Sequence, residues 1–149
     1  METNLISNAN NLNKHLKKNC FNIVTGGDYE LNKIILNNKY VNLLIDSEPL
    51  EKDFVHYRNS GLNQVLIKLA KKNNISIGFS LNRINNLNKL QKINLFGKIM
   101  QNIMLCNKYK VKLFIVNFIN KNEHKNINDL IALGLSLGAK KINILQEKI

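Results

Sequence analysis

Five short apolar runs, set between helical patterns, constrain this chain more than any other feature of it. They lie at 21–25, 41–45, 75–81, 111–118 and 141–145. Each has the length and the content of Val, Ile, Leu and Phe of a buried strand. Between them apolar residues recur with helical spacing. Leu12 and Leu16 mark a short basic helix over 10–19, and Asp28 opens a helix carrying Leu31, Ile34, Ile35 and Leu36. From Gly61, the residues Leu62, Val65, Leu66, Leu69 and Ala70 fall at i, i+3, i+4, i+7 and i+8, which predicts one helix face turned to a core. A long helix over about 89–109 carries Phe96, Ile99, Met100, Ile103 and Met104 on one side, read as core. A last helix, introduced by Asn128 and Asp129, carries Leu130, Ile131, Leu133, Leu135 and Leu137 and stops at Gly138. Short buried strands alternating with amphipathic helices mean parallel β/α units. No Gly/Ser-rich linker divides the 149 residues, so the chain reads as a single β/α domain over 1–149.

The stretch from His56 to Leu66 gathers polar groups where a helix begins. Ser60 is read as its N-cap, and Gly61 lets a backbone or ligand come close. Free N–H groups and the positive dipole end favour an anion there, with Arg58 and His56 just upstream. Charge points the same way. Twenty-two Lys and Arg against ten Asp and Glu leave +12, a balance suited to a polyanion, nucleic acid before a membrane surface. Cys20 and Cys106 sit in apolar contexts without C-x-x-C spacing and read as buried thiols of a reducing compartment. The first residues have no charged-then-apolar targeting pattern, and no run is long enough to span a bilayer. The chain therefore reads as cytoplasmic, with no membrane partner.

In parallel β/α folds ligands sit at the carboxyl ends of the strands. That rim holds Gly26, Gly27 and Asp28, then Asp46, Ser47 and Glu48, then Asn82 and Arg83, then Asn117, Asn120, Lys121, His124 and Lys125. Its later half is basic and amide-rich, a composition for sugar–phosphate contact more than for acid–base catalysis. The three histidines, His15, His56 and His124, are far apart and form no metal-binding spacing. Gly26-Gly27-Asp28 lacks both the dinucleotide fingerprint and the P-loop lysine, and no serine or cysteine sits in a nucleophile motif.

Four segments together resemble one known family. They are Gly-Gly-Asp-Tyr-Glu-Leu-Asn at 26–32, Arg-Asn-Ser-Gly-Leu-Asn-Gln-Val-Leu at 58–66, Lys-Tyr-Lys-Val at 108–111, and Asp-Leu-Ile-Ala-Leu-Gly at 129–134 with Leu-Gly at 137–138. In order and spacing, over about 16–140, they are similar to the p30 subunit family of ribonuclease P, called component 3 in archaea. The resemblance implies a TIM-barrel-like, metal-free protein that supports a catalytic RNA. The holoenzyme removes the 5′ leader of precursor tRNA, and the chemistry and its Mg²⁺ belong to the RNA. Implied partners are the ribonuclease P RNA, precursor tRNA, the Pop5-type subunit and the other ribonuclease P proteins. RNA contact carries over to Arg58 with Asn59 and Ser60, and to Arg83; His56 joins them from the reading of the loop. Where the family shows Ser-Gly-Ala after its sixth strand and an Arg before the Asp-Leu helix, this chain has Asn117-Phe118-Ile119 and Lys125-Asn126, so Lys121 and Lys125 supply the basicity there.

Family members also carry a strand, a helix and a second strand before the segment matching 12–19. The expectation here is TIM-barrel-like parallel β/α repeats forming an incomplete barrel that lacks this N-terminal strand–helix–strand, because about five strands cannot close an eight-stranded barrel. Either the start was assigned downstream of the true one, or the barrel is reduced and open, with edge strands for a partner to cover. A metal-dependent phosphoesterase of a related barrel type and a truncated RNA-binding or interaction module without activity stay open as alternatives.

Overall fold

A computed structural model of the chain describes residues 2–8, 11–119 and 125–148. Strands β1 (Thr3–Ile6), β2 (Phe21–Thr25), β3 (Leu43–Ile45), β4 (Ser76–Ser80), β5 (Leu113–Ile119) and β6 (Asn143–Lys148) pair in sequence order, all parallel. Helices α1 (Leu12–His15), α2 (Tyr29–Leu36), α3 (Gln64–Lys72), α4 (Leu81–Asn85), α5 (Lys89–Tyr109) and α6 (Ile127–Ser136) lie between them. The result is a curled half-barrel, the incomplete barrel expected from the sequence.

Side-chain contacts measure the curl. Neighbouring strands are about 4.8 Å apart, so three strand spacings in a flat sheet put β2 roughly 14 Å from β5. The rings of Phe21 and Phe114, on those strands, are 6.4 Å apart between centroids. Thr3 on β1 donates a 2.8 Å hydrogen bond to Glu147 on β6, joining the two edges of the sheet through side chains. The inner face so enclosed buries Ile23, Leu43, Ile45 and Val116, with Phe21, Phe114, Phe118 and Leu145 packed on them. Gly78 makes room on this face, because a Cβ there would stand 2.8 Å from the Phe114 carbonyl oxygen. The outer face carries the larger core, which includes Val24, Leu44, Ile77, Phe79 and Ile115 under Ile35, Leu66, Ile99 and Leu130 of the helices.

Several sequence expectations need correction. β1 lies where no strand was expected. Thr3-Asn4-Leu5-Ile6 is too short and too polar to announce itself, and it takes its register from β2, Thr3 opposite Phe21. One strand is therefore present ahead of α1, and α1 is a single turn instead of the helix read over 10–19. α3 starts at Gln64, with Asn63 as its cap. Ile67 is buried and Val65 is 64% exposed, so the inward face is rotated from the expected one. On α5 the inward residues include Leu95, Ile99, Ile103 and Cys106, while Met100 and Met104 face out. The polar stretch after β4 forms the short helix α4. Cys106 is buried, but Cys20 is only half-buried.

Candidate nucleic-acid interface

The loop from Asp46 to Asn63, joining β3 to α3, is the longest connection between described elements, and it carries most of the predicted contact residues. Three amide or ammonium groups from below hold it. Asn32, on the buried face of α2, donates to the carbonyls of Ser47 and Gly61 at 2.9 Å each and to that of Gly27 at 3.1 Å, and its oxygen accepts from Gly27 N at 3.0 Å. Asn102 of α5 donates to Ser60 O at 2.9 Å and to Glu48 Oε1 at 2.8 Å. Lys98, one turn earlier, donates to the carbonyls of Pro49 at 2.7 Å and Glu51 at 2.6 Å. A loop this polar can lie against the body of the protein because its backbone acceptors find buried donors.

Close approach decides the loop's far end. Gly61 has φ +74°, and a Cβ on it would sit 1.9 Å from the Ser47 carbonyl oxygen. The close approach expected at Gly61 is made by the protein's own backbone. Ser60 is not the helix cap. It is 1% exposed and its hydroxyl donates to Leu62 O at 3.1 Å, while the Asn63 side chain accepts from Leu66 N at 3.0 Å and caps α3.

The charges of the loop are compensated where they meet the body. Arg58 Nη1 donates to Gly97 O on α5 at 2.8 Å, and its Nε stands 3.7 Å from Asp53. Gly97 leaves space for this guanidinium, since a Cβ there would meet Nη1 at 2.8 Å. Asp53 also accepts from Asn59 N at 2.9 Å. Arg83 of α4 donates to the Glu48 carbonyl and lies 3.5 Å from the Glu48 carboxylate. That carboxyl is buried, and its pKa rises to about 7: desolvation raises it most, the Asn102 hydrogen bond opposes, nearby Asp46 raises it further, and Arg83 opposes again. Geometry alone makes Arg83 and Glu48 an ion pair; burial decides the carboxyl's titration. Glu48 Oε2, Arg83 Nη1 and Asn102 Oδ1 are buried without a hydrogen-bond partner. Burial likewise lowers the Lys98 pKa, with Asp53 opposing. Asp46 takes φ +53°, uncommon for a residue with a side chain, and its carboxylate accepts from Ser80 N at 2.8 Å and Ser80 Oγ at 2.6 Å.

The structure thus brings Arg58, Asn59 and Ser60 together with Arg83 around one loop. His56, Arg58 and Lys125 are exposed, Asn59 and Arg83 are partly covered, and Lys121 and His124 lie outside the described residues. Beside Arg58 a hollow of about 530 Å³ is lined in part by Tyr29, Phe54, Tyr57 and Gln101. The rings of Phe54 and Tyr57 are 4.7 Å apart and half or more exposed, an aromatic platform beside a cation that suits stacking against nucleic-acid bases. Sequence reasoning passed over Asn32, Lys98 and Asn102. Their signal was present, because Lys98 and Asn102 interrupt the inward apolar stripe of α5 between Leu95, Ile99 and Ile103. Among the described residues no group of three or more His, Cys, Asp or Glu is placed to hold a metal ion, and no helix is long and apolar enough to cross a membrane.

Comparison with known proteins supplies the relationship. The chain is 34% identical over 93 residues to ribonuclease P protein component 3 of Methanosarcina acetivorans, a match covering 62% of this chain and 36% of that protein. It is 28% identical over 116 residues to component 3 of Thermococcus kodakarensis, covering 77% of this chain and 50% of that one. Over these stretches the chain is similar in sequence to ribonuclease P protein component 3. It spans between a third and a half of the length of the component 3 proteins it matches. A chain in the cryo-EM structure of archaeal ribonuclease P with mature tRNA superposes with a TM-score of 0.71 at 22% identity, covering 88% of this chain and 55% of that one, which bears on the fold. No protein-family model matches the chain.

Proposed function

We propose that the chain is an accessory subunit of ribonuclease P that contacts RNA and supports endonucleolytic removal of the 5′ leader from precursor tRNA. The observation that carries this reading is the 34% identity to component 3. A net charge of +12 supports it, since Lys and Arg release counterions from phosphates. In this reading the chain has no catalytic group of its own, and the Mg²⁺ of the reaction is held by the RNA. The chain works in the cytoplasm beside the Pop5-type subunit and the other ribonuclease P proteins. Arg58, His56, Asn59 and Lys125 face the RNA, and Lys121 joins them from the segment outside the described residues. Ser60 and Arg83 act through the loop, Ser60 from within it and Arg83 through Glu48.

Footprinting tests the reading. Added with the Pop5-type subunit to ribonuclease P RNA, the chain should protect a defined set of nucleotides from hydroxyl-radical cleavage. His56→Ala with Arg58→Ala and Lys125→Ala should weaken that protection while leaving the fold intact, because all three residues are exposed. A cleavage pattern unchanged by the wild-type chain would contradict the proposal. Arg83→Ala is the poorer probe, because it leaves the buried Glu48 without its cation.

A further inference from the structure

Charge is divided between the two ends of the half-barrel, and the lysine-rich end is not the one that carries Arg58. Every described segment leading from a helix into β2, β3, β4, β5 or β6 bears lysine: residues 16–20, 37–42, 71–75, 108–112 and 137–142 hold two, one, two, three and two, with no Asp or Glu among them. All ten are exposed. Of the acidic residues described, Glu2 alone lies at this end; Glu147 sits near the end of β6, and the others follow strands or open helices at the opposite end, as Asp28, Asp46, Asp53 and Asp129 do. The three salt bridges among the described residues use Arg58, Arg83 and Lys98, so none of the ten lysines is neutralised by one.

Lysine is favoured near helix C-termini by the helix dipole, which accounts for Lys71, Lys72 and Lys108. Lys110 is the C-cap of α5, but the dipole does not account for Lys112, Lys140 and Lys141, which lie beyond the ends of α5 and α6. These four line one cavity of about 310 Å³, together with Asn107 and Asn143. The cavity is held in shape across its two sides. Asn107 donates to Gly138 O at 2.8 Å and accepts from Lys140 N at 3.2 Å, tying the turn before β6 to the end of α5. Lys71 donates to Lys110 O at 2.9 Å and so adds its charge at the rim.

We infer that this end of the half-barrel, centred on the cavity between Lys110–Lys112 and Lys140–Lys141, is a second RNA-binding surface that seats backbone phosphates. The inference rests on the RNA-contacting function proposed above and goes beyond it, since that reading places RNA only on the opposite rim. Four ammonium groups without carboxylate partners, around a preorganised hollow, recognise phosphate charge and not base sequence. Asn107 is a positioning residue here, acting through the turn it holds.

The test is the salt dependence of binding of a fluorescein-labelled RNA hairpin to the full chain. In the variant Lys110→Ala/Lys112→Ala/Lys140→Ala/Lys141→Ala, the slope of log K against log salt should flatten by about 3, at ~0.7–0.9 for each phosphate no longer neutralised. A variant with the same loss of charge along the helices, Lys14→Ala/Lys33→Ala/Lys68→Ala/Lys89→Ala, should flatten it by less than a third as much. Arginine at the four cavity positions should restore the wild-type slope. Circular dichroism checks folding, which exposed lysines should not disturb. Equal slopes for the two alanine variants would overturn the inference yet leave the proposed function standing, as the rim would then carry the RNA. A wild-type chain without salt-dependent RNA binding would overturn both. Loss of binding to anionic lipid vesicles with RNA binding intact would assign the surface to a membrane and overturn the inference alone.

Discussion

Glu48 shows how one residue sets the chemistry of the loop. Its carboxyl is buried beneath Asn102 and Arg83 and holds its proton up to about pH 7, against 4.5 in the unfolded chain. Between those values the native state binds more protons than the unfolded state. Stability from this group is therefore fully present below pH 4.5 and is lost as pH rises through about 7, by on the order of 3 kcal/mol in all. Urea titrations across that window should show a falling midpoint for the native protein and a flat one for Glu48→Gln; a flat midpoint in both would mean that Glu48 is already ionised. Gly61 gives a sharper steric test. With φ at +74° and the Ser47 oxygen only 1.9 Å from where a Cβ would stand, there is no room for Gly61→Ala, which should lower unfolding free energy by at least ~2 kcal/mol. An alanine variant as stable as wild type would mean that the loop rearranges freely. Neither effect was visible in the sequence. Glu48 looked like one acid in a strand-ending turn, and its burial depends on Asn102, 54 positions away.

At the scale of elements, most of the fold was legible where residues act locally. β2 over 21–25, α5 over 89–109 and the Asp28 cap of α2 stand where the pattern put them. Asp28 accepts from Leu31 N at 2.8 Å, as a capping residue should. The losses came where a distant partner overrides the local pattern. β1 is a strand because β2 offers it a ladder, and α3 begins late because Ser47 and Asn32 pin Gly61 below the helix. With Asn63 as the real cap, Asn63→Ala should cost about 1 kcal/mol in chemical denaturation, and a neutral result would return the cap to an upstream residue. α5 has two faces. Leu95, Ile99 and Ile103 enter the core, while Leu90, Ile93, Met100 and Met104 form an exposed stripe. Counting apolar residues could not separate them, since both faces are apolar.

For the whole molecule, fold and candidate function were legible to different degrees. Parallel β/α alternation needs only periodicity, and the resemblance to component 3 rests on a few short segments, so both could be read from the chain alone. The polarity of charge could not. It emerges only when the turns after the helices are gathered at one end of the half-barrel, far from Arg58 and its loop. RNA contacting both ends would have to wrap the half-barrel or bridge two helices across it, a role for a scaffold that positions RNA. The most direct measurement is precursor-tRNA cleavage by ribonuclease P reconstituted from its RNA and protein subunits, with this chain added or omitted at physiological Mg²⁺. Omission should slow cleavage, and combined neutralisation of the exposed rim cations and of the four cavity lysines should reproduce the omission. Cleavage at an equal rate with and without the chain would contradict the proposed function.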